Sequence, residues 1–146
     1  MKSLWSLLLV MMIAITLFAQ SDTPPIPAYH KAPPAKNAKL AQILPREMLW
    51  GPAFENDYQV HAYELAAKIP KVIYQLPCYC YCDRIGHGSL RSCFESTHAA
   101  HCSACMKELY FAYQQNKKGK TVAQIRQAII KGGWEQIDLN TAATIN

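Results

Sequence analysis

The chain has 146 residues, which suggests one domain, and hydrophobic residues make up 51% of it. Its net charge is +5, its lysines are scattered, and aromatic residues do not interleave with Arg or Lys, which argues against nucleic-acid binding. Neither a Ser–His–Asp order nor paired catalytic carboxylates, a phosphate loop or a His-Glu-x-x-His motif is present, so hydrolase and nucleotide-binding readings have no support.

The chain opens with Lys2 and an uncharged apolar run from Leu4 to Phe18, shorter than the about 20 residues that a spanning helix needs. Leu17-Phe18-Ala19 offers a cleavage site, so residues 1–19 are expected to be a cleaved signal peptide, with an uncleaved membrane anchor as the alternative. Either way the protein is expected to be exported, to a periplasmic or extracellular place. No cysteine lies near the cut, which argues against a lipid anchor. Residues 20–36 contain Pro24, Pro25, Pro27, Pro33 and Pro34 and read as an extended linker or tether.

Residues 37–134 are expected to form the domain, all of it helical. Asn37 can cap a short helix through Leu44 that Pro45 stops. Residues 55–69 place Tyr58, Ala62, Leu65 and Ile69 on one helical stripe. Pro70 opens a second short helix with Val72, Ile73 and Leu76 apolar, and Pro77 ends it. Residues 78–88 read as irregular or extended; if extended, the alternating cysteines share one face and the tyrosines the other. Ser89 can cap a short helix carrying Leu90, Cys93 and Phe94. Residues 98–118 read as the longest helix, with His98, Cys102, Cys105, Leu109 and Ala112 on one stripe and Gly119 as its cap. Lys117, Lys118 and Lys120 are then a solvated helix end. Thr121 and Gln124 fit a capping box for a helix with Val122, Ile125, Ala128 and Ile129 inside, closed by Gly132-Gly133. Trp134 is expected to fold back onto the core, and the tail 135–146 carries no clear signal.

All six cysteines fall between Cys78 and Cys105: Cys78-Tyr79-Cys80-Tyr81-Cys82, then Cys93, then Cys102-Ser103-Ala104-Cys105. His87, His98 and His101 share the window. Outside the cytoplasm such cysteines are bridged, metal-bound or reactive. The run Leu76-Pro77-Cys78-Tyr79-Cys80-Tyr81-Cys82-Asp83, with Gly86-His87, Ser89-Leu90, Cys93-Phe94-Glu95, His98 and Cys102-Ser103-Ala104-Cys105, resembles exported bacterial proteins named for a CYCXC or PCYCGC motif. The likeness covers roughly residues 40–133. Some members of that family are described as selenoproteins, which implies chalcogen chemistry, either redox or soft-metal binding. The PCYCGC members carry Gly where this chain has Tyr81, and many are lipoproteins.

Three readings of the cysteines follow. In the first, Cys78, Cys80, Cys82, Cys102 and Cys105, completed by Cys93, His98 and His87, bind a soft metal. Two sulfurs from each half would suit tetrahedral zinc, and alternating thiolates also suit Cu(I). Six thiols exceed the needs of one ion and leave room for two. Beyond the leader only Met48 and Met106 remain, so a copper carrier would lack a methionine-rich ligand set. In the second, the same cysteines are a redox system that exchanges disulfides with a partner protein, since Cys102 falls near a helix start where thiolate is favoured. In the third, three disulfides staple a structural or interaction module, at about 2–4 kcal/mol each.

The surrounding residues admit plainer roles. His87 is either a ligand or a turn histidine bonded to backbone. His98 shares the cysteine stripe and is the preferred histidine ligand, with His101 outside it. His30 and His61 are expected to be linker and scaffold residues. Tyr79 and Tyr81 are expected to pack, Asp83 and Arg84 to pair, and Glu95 to orient His98 or be solvated.

Overall fold

The computed structural model describes residues 24–146, so the leader-like segment 1–19 and the start of the proline-rich stretch lie outside the described residues. The described residues form helices and no strand, an all-α domain as the periodicity predicts. Helix α1 (Asp57–Lys68) starts where Gln59 accepts a hydrogen bond from the Asn56 N–H at 2.8 Å. It buries Ala62, Leu65 and Ile69 of the expected stripe together with Tyr63 and Ala66. Pro70 opens α2 (Pro70–Ile73), whose missing N–H falls where a helix leaves that donor unpaired.

The longest helix, α3 (Ser103–Lys117), lies against α1 and carries buried Cys105, Met106, Leu109, Tyr110 and Ala112. Gly119 ends it with φ +73, a left-handed value that glycine adopts without a Cβ penalty. Thr121 Oγ1 accepts from the Gln124 N–H at 3.3 Å, and α4 (Val122–Ile130) follows with Ile125 and Ile129 buried. Trp134 folds back to stack on Tyr79 at 6.5 Å between ring centroids. Burying each of the large core side chains stabilises the fold by about 1.5–3 kcal/mol relative to exposure. Among the described residues no helix is long and apolar enough to cross a membrane.

Four regions differ from the sequence expectation. Residues 37–44 form no helix. Their chain runs irregularly over the core, buries Ile43, and bonds to distant groups instead of to itself: the Leu44 N–H donates to Phe94 O at 2.9 Å, and Arg91 donates to Ala41 O at 2.6 Å. The helix expected over 98–118 is two pieces. A 3-10 helix, Thr97–His101, starts where Ser96 Oγ accepts from the His98 N–H, and Cys102 then takes an extended conformation (φ −127, ψ 105) before α3 begins. In the tail, Asp138 Oδ1 accepts from the Asn140 N–H at 3.0 Å and starts α5 (Leu139–Ala142), which buries Ala142. From Pro24 the proline-rich stretch lies along the domain: Pro27 is buried, His30 stacks on Tyr74 at 3.9 Å, and the Arg126 guanidinium sits over the Tyr29 ring at 4.6 Å.

Candidate metal centre

The cysteine loop is built by local geometry that the alternation of residues does not reveal. After Pro77 the chain is not extended; it turns through Tyr79–Tyr81 and enters a 3-10 helix, Cys82–Ile85. Tyr81 takes φ 55, the one non-glycine left-handed residue among those described. The turn sends Cys78 and Cys82 into the core and leaves Cys80 half-buried at the rim, so the three cysteines do not share one face. Gly86 at φ 92 closes the 3-10 helix, and the His87 N–H donates to Cys82 O at 3.1 Å, which folds His87 back over the cysteines. Two backbone bonds fix the loop from outside. Leu90 N–H donates to Leu76 O at 2.9 Å, and Tyr79 N–H donates to Glu108 Oε1 on α3 at 2.6 Å.

All eight expected ligand residues meet at one place. Sγ atoms of Cys78, Cys82, Cys93 and Cys105 form one buried group within 4.8 Å of one another. Cys78 Sγ lies 3.3 Å from Cys105 Sγ, 3.7 Å from Cys93 Sγ and 4.0 Å from Cys82 Sγ. Sulfurs about 2.3 Å from a tetrahedral zinc stand about 3.8 Å apart, so these spacings suit one ion in the middle. Cys82, Cys93, His87 and His98 form a second group. His98 Nε2 is 3.2 Å from Cys82 Sγ and His87 Nδ1 is 3.3 Å from Cys93 Sγ. Cys80, Cys102 and Cys105 form a third, in which Cys80 and Cys102 are joined as a disulfide and Cys105 Sγ lies 3.7 Å from Cys80 Sγ. Over the rim opens a 300 Å³ pocket lined by Cys80, Tyr81, Cys82, Ile85, His98 and Cys102, with His101 beside them.

Protons are shared unequally within the inner group. Cys105 is lowered to about 6, chiefly by hydrogen bonds from Cys78 and then Cys93, and it sits in the first turn of α3 where the dipole favours thiolate. Cys78 is pushed up to about 11, first by its hydrogen bond to Cys105. Burial pushes Cys82 up to about 11, and hydrogen bonds to Cys105 and Cys78 raise Cys93. The metal-free cluster therefore holds one thiolate among thiols. A second negative charge 4 Å away would cost about 4 kcal/mol at an effective dielectric of 20, which a cation between the sulfurs reverses in sign. His87 is lowered by burial and by neighbouring His98, so it offers a neutral ring.

Glu108 is the residue that sequence reading missed. It is fully buried, burial and then nearby Cys78 raise its carboxyl well above the usual range, and its Oε2 makes no hydrogen bond. Its place one turn after Cys105 on an otherwise apolar stripe was the available signal. Other neighbours take plainer roles. Asp83 does not pair with Arg84: Asp83 accepts from the Ala28 N–H at 3.2 Å, and Arg84 lies over the Tyr81 ring at 5.0 Å. Glu95 pairs with Arg91 instead of orienting His98. His61 Nδ1 meets Tyr110 OH at 3.2 Å, a scaffold contact.

Compared with protein-family models, curated proteins and solved structures, the chain matches none.

Proposed function

We propose that this protein is an exported soft-metal-binding protein that holds copper or zinc in a thiolate cluster. The observation that carries this reading is the group Cys78, Cys82, Cys93 and Cys105, whose four ligand atoms lie within 4.8 Å of one another in the core. Three separate pieces of chain contribute to it: the loop, the 3-10 helix Leu90–Phe94 and α3. Buried free thiols at that spacing are hard to explain as packing alone, since small hydrophobes would fill the space without the charge problem. The histidines at the edge favour a borderline ion such as zinc, and the density of thiolates favours Cu(I). Export is supported by the leader-like segment 1–19 and by the resemblance of the motif run to exported CYCXC proteins.

A second reading, thiol–disulfide exchange with a partner protein, is favoured by one observation: Cys80 and Cys102 are bridged while the other four cysteines are free. The two readings part in one experiment. The mature chain, purified without oxygen, is offered zinc and then Cu(I) and weighed by native mass spectrometry, with thiols counted after denaturation. Whole-number metal on reduced cysteines, lost to a chelator together with a drop in melting temperature, is the expected result. A reduced, folded chain that takes up neither ion sinks the metal reading.

A further inference from the structure

The three ligand groups are not separate. The inner group and the histidine group share Cys82 and Cys93, and the inner group and the rim group share Cys105. Eight side chains thus outline three adjoining stations in which three sulfurs each face two stations. Bridging thiolates of this kind are open to d10 ions, which accept sulfur without a fixed geometric preference.

The rim station differs from the other two. Cys80 and Cys102 are half-buried beside the 300 Å³ pocket, and they are the pair joined as a disulfide. Their Cα atoms are 7.7 Å apart, wider than the 4.4–6.8 Å usual for bridged cysteines. Two metal–sulfur bonds of about 2.3 Å span more than one S–S bond of about 2.05 Å, so this spacing also suits two thiolates on one ion.

Resting on the metal-binding reading above, we propose that the site is polynuclear, with Cys82, Cys93 and Cys105 as bridging thiolates, and that its outermost station, Cys80, Cys102 and Cys105, is opened and closed by the Cys80–Cys102 disulfide. Closing the station forms one S–S bond. The two sulfurs lose two electrons to an oxidant of the disulfide or azo class, along with their protons or the ion they hold. A dithiol reopens the station by exchange and becomes a disulfide itself. The four inner sulfurs are buried and do not take part.

Zinc is the probe. The reduced chain is saturated with zinc without oxygen and weighed natively, then treated with the azo oxidant diamide, which becomes a hydrazine, while a colorimetric chelator reads released metal. The same is done with the double variant Cys80→Ser and Cys102→Ser, which changes half-buried positions only. Three zinc ions on the reduced chain are expected, one per station, with one released by diamide. The double variant is expected to hold two and release none under the same treatment. A reduced wild-type chain that saturates at one ion overturns the proposal while leaving the metal-binding reading standing; a chain that binds no zinc or Cu(I) removes both. Diamide that releases no zinc from the wild type, or the same amount from both proteins, also overturns it. The wild-type release stands as a test even where the double variant does not fold.

Discussion

The inner and outer halves of the cysteine site are built from the same residue type and face different chemistry. Cys78, Cys82, Cys93 and Cys105 are buried in the core with Leu76, Leu90, Phe94 and Leu109, with only Cys82 also reaching the pocket wall, and burial together with their mutual hydrogen bonds governs their protonation. Cys80 and Cys102 sit at the rim against a pocket and carry the bridge. Cysteine density alone therefore does not define a role. Depth separates the sulfurs by access, because a buried thiol is shielded from oxidants and an accessible one is not.

The largest test of that contrast compares Cys93→Ala with Cys102→Ser. Cys93 faces two stations, so its loss is expected to lower zinc affinity by at least about 100-fold and to remove most metal-dependent stabilisation, read by chelator competition and thermal melting. Cys102→Ser is expected to leave the tightest ion in place. Equal losses from the two variants would erase the inner–outer distinction.

Glu108 tests how the inner half is held. Glu108→Gln keeps an acceptor for the Tyr79 N–H, whereas Glu108→Leu leaves that donor unpaired beside the core. We expect the leucine variant to lose about 1–3 kcal/mol in denaturant unfolding and the glutamine variant less. A leucine variant as stable as wild type would show that the bond does not hold the loop.

Tyr81 gives a smaller effect. At φ 55 it occupies a backbone region costing about 1–2 kcal/mol for a side chain, and Tyr81→Gly removes that cost while losing the contact with Arg84. A net change within about 1 kcal/mol is expected, with metal stoichiometry unchanged.

The smallest effect is spectroscopic. In the metal-free chain with the Cys80–Cys102 bridge intact, ultraviolet thiolate absorbance is expected to rise by one thiolate near pH 6, from Cys105, with Cys78 and Cys82 following only near pH 11. Because Cys105 titrates lower folded than unfolded, its stabilising contribution is complete above its ordinary value of 9.0 and is lost as pH falls through about 6. Cys78 and Cys82 act in the opposite sense, their contribution being lost as pH rises from 9.0 through about 11. A single step near the ordinary cysteine value would refute the shared-proton cluster.

Where a helix is local, sequence made it legible. Caps at Thr121 and Gly119, proline at Pro70 and the stripe Ala62–Leu65–Ile69 all act through neighbours a few residues away. The eight residues that meet at the site stood out by composition as candidate ligands. Their arrangement did not. Residues 78–88 read as irregular or extended, and they are irregular: a left-handed residue at Tyr81 turns the chain, so the shared cysteine face that an extended strand would give does not form, and that angle is invisible when a tyrosine occupies it. Helical spacing likewise carried one helix through Cys102, whereas the bridge to Cys80 accompanies a break there. Local periodicity does not register contacts between residues far apart in sequence, such as the bridge from Cys102 to Cys80.

The docking of the proline-rich stretch sets a leash. Ala28 is bonded to Asp83, the neighbour of Cys82, so the described stretch from Pro24 is pinned beside the turn that borders the pocket. A pull on the stretch from Pro24 would therefore reach the Cys82–Ile85 turn, which borders the pocket, before it reaches the long helices.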